Sequence, residues 1–161
     1  MRARVIGAGV AVVLITLGCT GLPQVGIPDD LSACGAYVDS GTMPIWTPEQ
    51  VIEGNLQAFN DENLDCYMGS FHPDSGVITT SMLQTAGLFD TYDLRAQLGE
   101  PPTAQITGSS AQVSFVQQTY NANDKPFDAN QSTGVHTLAK DADGRWRLLS
   151  TVITETVPWS P

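Results

Sequence analysis

Cationic residues are scarce in this chain, with 7 Lys and Arg set against 17 Asp and Glu in 161 residues, for a formal net charge of −10. No basic cluster interrupts that acidic excess, which argues against binding of nucleic-acid phosphates or anionic head groups. An acidic, well-solvated surface accounts for the charge more simply than a dedicated cationic partner does. Histidine occurs only at His72 and His136, and cysteine only at Cys19, Cys34 and Cys66. That is too thin a set for a zinc site once the cysteines are otherwise engaged. No glycine-rich loop follows a strand pattern and no serine lies in an elbow motif, so nucleotide binding and triad hydrolysis have no support. No cofactor and no metal are expected. Asp141-Ala142-Asp143-Gly144 invites a calcium reading, but Arg145 stands where a further oxygen ligand belongs and the later bidentate glutamate is missing. A plain turn is the better account.

A membrane-spanning run is also lacking. Val5 to Leu17 is apolar and uncharged for 13 residues, short of the roughly 20 that a spanning helix needs. With Arg2 and Arg4 before it, the stretch reads as a signal peptide over residues 1–18. Thr16-Leu17-Gly18-Cys19 resembles a bacterial lipobox, although Thr16 departs from the usual aliphatic residue. Lipid attachment at Cys19 would anchor the chain outside the membrane, two or more acyl chains making the attachment stable; simple secretion is the alternative. Residues 19–46 then form a tether punctuated by Gly21, Pro23, Gly26, Pro28, Gly35, Gly41 and Pro44. With Cys19 acylated, Cys34 and Cys66 remain as an even pair in an oxidising compartment and are expected to form a disulfide, a closure worth on the order of 3 to 4 kcal/mol. Two buried free thiols are the other reading.

Residues 47–161 carry the folded pattern. Thr47 can cap a helix, Pro48 fits its first position, and Gln50 completes a capping box. Ile52, Leu56 and Phe59 then recur at helical spacing beside Val51. Asn60 to Asn63 interrupts the stripe, and Leu64, Tyr67, Met68 and Phe71 start a second one. After Asp74 the period changes. Val77 and Ile78 suggest a short strand, and Met82, Leu83 and Leu88 a short helix or turn. Tyr92 to Leu98 alternates as a half-buried strand, Thr103 to Thr107 resumes pairing, and Ala111, Val113 and Phe115 open a strand running to about Tyr120. Val135 to Lys140 and Arg145 to Thr156 make a last hairpin across Asp141 to Gly144. Helices followed by an antiparallel meander give an α+β domain, its sheet curled over the helices.

Ala58-Phe59-Asn60, Asn63-Leu64-Asp65, Ser70-Phe71-His72-Pro73-Asp74 and Asp141 to Leu148, in that order, resemble the nuclear transport factor 2-like superfamily. That superfamily of cone-shaped α+β domains includes ketosteroid isomerases, polyketide cyclases and non-catalytic bacterial lipoproteins. The resemblance implies an interior pocket with Asn55, Tyr67, Thr79, Phe115, His136, Leu138 and Trp146 as candidate lining. It also implies sheet-mediated homodimers as an option. Matched to the isomerases, Thr79 falls where the aspartate base belongs, Asn55 where the tyrosine oxyanion donor belongs, and His136 where the second donor belongs. Threonine has no useful pKa for proton abstraction near neutrality, so the isomerase mechanism is set aside and no catalytic residue is assigned.

Two functions follow from this reading. One is a non-catalytic, membrane-tethered binding or accessory domain of the cell envelope, engaging a small apolar molecule or a protein. The other is a cyclase, isomerase or hydratase with a rearranged site, in which His136 and Asp93 or Asp74 supply acid and base. Against any pocket stands the plain alternative that Tyr67, Phe115 and Trp146 fill the core and His136 is a hydrogen-bonded interior histidine.

Overall fold

The computed structural model describes residues 46–161. Three helices, α1 (Pro48–Asn60), α2 (Leu64–Gly69) and α3 (Ile78–Thr91), precede five strands. These are β1 (Leu94–Leu98), β2 (Thr103–Thr107), β3 (Ser110–Asn121), β4 (Asn130–Lys140) and β5 (Trp146–Pro158). The sheet is antiparallel in the order β1-β3-β4-β5, with β2 also on β3. This is the expected α+β arrangement.

The start of α1 forms as its sequence dictates. Thr47 and Gln50 exchange hydrogen bonds in a capping box, and Pro48 sits in the first turn. Asn63 caps α2 by accepting from the Cys66 amide at 3.1 Å. Val51 and Ile52 of α1, Met68 of α2, and Phe71 just after it meet Ala111 and Val113 of β3, Leu138 of β4 and Leu148 of β5. Fully burying a side chain such as Val113 or Leu138 contributes about 1.5 to 3 kcal/mol. Leu138 and Trp146, expected in a pocket, belong to this packed cluster instead. They share the inward face with His136 but lie nearer the Asp141 turn and do not line the cavity described below.

That turn is held by Asp141, whose carboxylate accepts from the Asp143 and Arg145 amides and from Arg147 Nε. Arg147 also donates to the Gly69 carbonyl, tying the hairpin to α2. These bonds keep the Asp141 carboxyl ionised below its usual range despite partial burial. The carboxylate is a structural anchor of the turn.

Strands β1 and β2 pair with successive parts of β3 and together make one interrupted edge. Helix α1 covers it. The Asn60 amide donates to the Ala96 carbonyl at 2.8 Å and accepts from the Ala96 amide at 2.7 Å, imitating a neighbouring strand. Glu49 accepts from the Ala104 amide at 3.1 Å. Both contacts occupy backbone groups that an open edge would offer to other chains.

Two expectations are corrected. Val77 and Ile78 do not form a strand: Val77 is the N-cap of α3, a helix of 14 residues. Their β-branched side chains and the Thr79-Thr80 pair read as extended, while Ser81, Gln84 and Thr85 interrupt the apolar period of the inward side. Strand β4 starts at Asn130, well before Val135, because its first inward residues, Asn130 and Ser132, face a cavity and not an apolar core.

Replacing Asn60 with Ala strips both bonds from Ala96 and is expected to cost on the order of 2 kcal/mol in urea denaturation. A loss below about 0.5 kcal/mol would show that the edge does not need this clamp.

Candidate functional site

Beyond the packed cluster the helices and sheet diverge around a cavity of about 180 Å³. Helix α1 contributes Asn55, Leu56 and Phe59, and α2 contributes Tyr67; Phe71 follows. Helix α3 forms a wall with Ser81, Gln84, Thr85 and Leu88, at spacings of three, one and three. Val77, Leu94, Phe115, Leu148 and Ile153 complete the apolar part. Towards the mouth the inward face turns polar, through the cross-strand pairs Gln117 with Ser132 and Thr119 with Asn130. Phe127 stands at this mouth, its ring edge-on to Tyr92 at 5.6 Å.

Among the described residues, no Asp, Glu, Lys or Arg lines the cavity. In a chain of net charge −10, every charge is kept off this wall. The titratable side chains in it are Tyr67 and His136. Burial pushes the Tyr67 hydroxyl above its ordinary value, partly offset by its bond with Thr85, so the phenol stays neutral.

His136 is positioned from three sides. It is 9 % exposed, faces Val113 on β3 and Thr151 on β5 across the sheet, and stacks on Phe115 with ring centroids 4.0 Å apart. Phe115 can lie flat because its cross-strand partner is Gly134, where an added Cβ would stand 3.1 Å from the ring and 2.4 Å from the Val152 carbonyl oxygen. Nδ1 of His136 is 2.8 Å from Thr151 Oγ1. Desolvation lowers the His136 pKa from 6.5 to about 4. It is therefore a neutral imidazole near pH 7.

Four of the expected pocket residues, Asn55, Tyr67, Phe115 and His136, meet in this cavity. Thr79 lies in the first turn of α3 and does not line it. Asn55 donates to the Tyr67 carbonyl at 3.2 Å and to Ser70 Oγ at 2.7 Å, so its amide protons serve the α1 to α2 junction. An acid and base pair around His136 does not form. Asp93 is 2.6 Å from Arg95, Asp74 is exposed beside His72, and neither reaches the cavity. His72 instead organises the loop after α2, with its amide bonded to the Leu148 carbonyl and its Nδ1 accepting from the Asp74 amide.

The α3 wall and the polar mouth escaped the sequence reading. Gln117, Thr119, Asn130 and Ser132 alternate with outward residues that are also polar, and the only available signal was their strand period. Cys66 is buried on α2, while Cys19 and Cys34 lie outside the described residues.

The model of the family described as "Anti-sigma-I factor RsgI9, C-terminal domain" matches residues 50–158. No curated protein matches the sequence. Among solved structures, a nuclear transport factor 2-like superfamily protein from Salmonella enterica is similar at 12 % identity and TM-score 0.56, over 70 % of this chain and 89 % of that one. A ketosteroid isomerase-like protein from Erwinia carotovora is similar at 18 % identity and TM-score 0.52, over 70 % of this chain and 94 % of that one. Bd1075 of Bdellovibrio bacteriovorus is similar at 17 % identity and TM-score 0.54; the match covers 68 % of this chain but only 38 % of that longer one. These likenesses establish the nuclear transport factor 2-like fold.

Because His136 refuses a proton that the unfolded chain accepts, its contribution to stability is complete above pH 6.5 and is lost as the pH falls to about 4. The loss is on the order of 3 kcal/mol. Urea denaturation across that window should show a slope that His136→Gln removes. An unchanged slope in the variant would mean that His136 protonates freely in the fold.

Proposed function

The chain belongs to the family of the C-terminal domain of anti-sigma-I factor RsgI9, and from that membership and the chemistry of its cavity we propose a non-catalytic binding domain of the cell envelope. Its ligand is a small, largely apolar, uncharged molecule. The observation that carries this reading is a mostly apolar cavity whose lining, among the described residues, includes no charged side chain and whose one imidazole is kept neutral. Proton abstraction needs a base of suitable pKa within reach of substrate, and the lining offers no carboxylate. Shape and a few neutral polar groups are what a binding site requires.

The leader over residues 1–18 and the anchor on Cys19 would place the domain outside the membrane, joined through a tether. Among the described residues no helix is long and apolar enough to cross a membrane. A Cys34 to Cys66 bridge would fix the end of the tether to α2.

A protein partner is the second reading. The matched family is a domain of an anti-sigma factor; a domain held outside the membrane would engage an envelope protein, whereas direct contact with a sigma factor would require it to lie inside the cell. Among the described residues, the outer edge of β5 has no strand partner beyond Leu148, and Val152 and Val157 are exposed on that strand. The same edge would serve a homodimer.

Mass spectrometry of the protein isolated under native conditions tests the arrangement as a whole. The expected result is acyl mass on Cys19, a Cys34 to Cys66 crosslink, membrane fractionation lost in Cys19→Ser, and a small neutral adduct lost in Leu88→Trp, which fills the cavity. An unprocessed leader with reduced cysteines would contradict the envelope placement, and an adduct that survives Leu88→Trp would contradict the site.

A further inference from the structure

We infer that His136 and Thr151 form a two-way hydrogen-bonding post that selects uncharged ligands carrying one carbonyl or hydroxyl group on an apolar body. This inference rests on the binding reading above and specifies the chemistry of the same cavity.

The ring of His136 makes one hydrogen bond, through Nδ1 to Thr151 Oγ1. Among the described residues Nε2 has no partner, yet it is not among the sealed-off polar atoms of the interior, and the residue lines the cavity. Nε2 therefore faces the open space. Leaving such a group without a partner in a desolvated site costs free energy that a ligand atom can recover. Stacking on Phe115 fixes the plane of the ring and hence the direction of that bond.

What Nε2 offers depends on Thr151. A hydroxyl both donates and accepts. When Thr151 donates to Nδ1, the ring proton sits on Nε2 and the post donates to a carbonyl. When Thr151 accepts from an Nδ1 proton, Nε2 presents a lone pair and accepts from a hydroxyl. Among the described residues no charged side chain lines the cavity to bias the choice or to pair with an ionised ligand, so a carboxylate or an ammonium would lose its hydration without compensation. The apolar body would lie against Phe59, Tyr67 and Leu94.

Four probes of similar size separate these effects: toluene, phenol, acetophenone and benzoate, titrated into the full chain with nitrogen-15 labelled histidine. Phenol and acetophenone should bind about threefold to tenfold more tightly than toluene, the margin that one net hydrogen bond provides, and both should move the His136 Nε2 resonance. Benzoate should bind at least tenfold more weakly than phenol. His136→Phe should bring phenol and acetophenone down to toluene. Thr151→Val leaves Nδ1 without a partner and favours the tautomer protonated on Nε2, so acetophenone should keep its advantage while that of phenol shrinks. The wild-type resonance shift stands as evidence even if a variant fails to fold. Equal binding of toluene, phenol and acetophenone with an unmoved Nε2 resonance would overturn the role of His136 and leave the cavity reading intact. Benzoate binding as tightly as phenol would overturn the selection for neutral ligands. Failure of all four to bind would overturn the inference together with the cavity reading.

Discussion

Exclusion of charge from the interior of the cone is the constraint on which the rest depends. The inward face carries polar groups at several depths, and each must be satisfied without an ion because desolvation there is severe enough to hold an imidazole neutral. Nearest the packed core the inward residues are apolar. At the middle, His136 leans on Thr151 and Phe115, and Tyr67 on Thr85. At the mouth, amides and hydroxyls replace aliphatic side chains. The charges remain outside, where Arg95 meets Asp93 and Arg147 meets Asp141.

The same partition supports the proposed binding role. An acid and base pair needs two titratable groups whose environments push their pKa values apart within reach of one substrate. This cavity holds one imidazole and one phenol, both pressed towards the neutral form. Fold likeness to a ketosteroid isomerase-like protein says nothing about chemistry when the position matched to the base is Thr79, outside the cavity. On the proposed reading, the remaining groups bind an uncharged molecule.

Much of the fold could be read from the chain because its signals are local. The capping box at Thr47, the stripe of Val51 and Ile52, the alternation of Ala111, Val113 and Phe115, and the turn at Asp141 to Gly144 each state their conformation within a few residues. What escaped depends on contacts distant in sequence. Asn60 looked like a turn former, but its amide serves as a surrogate strand against Ala96, 36 residues away. Helix α3 places Ser81 and Thr85 towards a cavity, so hydrophobic periodicity is a poor guide to it. The reading placed His136 inside the cone with Phe115 and Tyr67, yet it also placed Trp146 and Leu138 there. Strand parity identifies a face but not the depth at which the face stops being packed.

A crystal structure of the protein purified from its own cells, without denaturation or extraction by organic solvent, tests this account most directly. It should show density for a small uncharged molecule between Phe59, Tyr67 and His136, with one of its oxygen or nitrogen atoms at hydrogen-bonding distance from Nε2. A cone closed by its own side chains, with Nε2 of His136 bonded to the protein, would contradict the account.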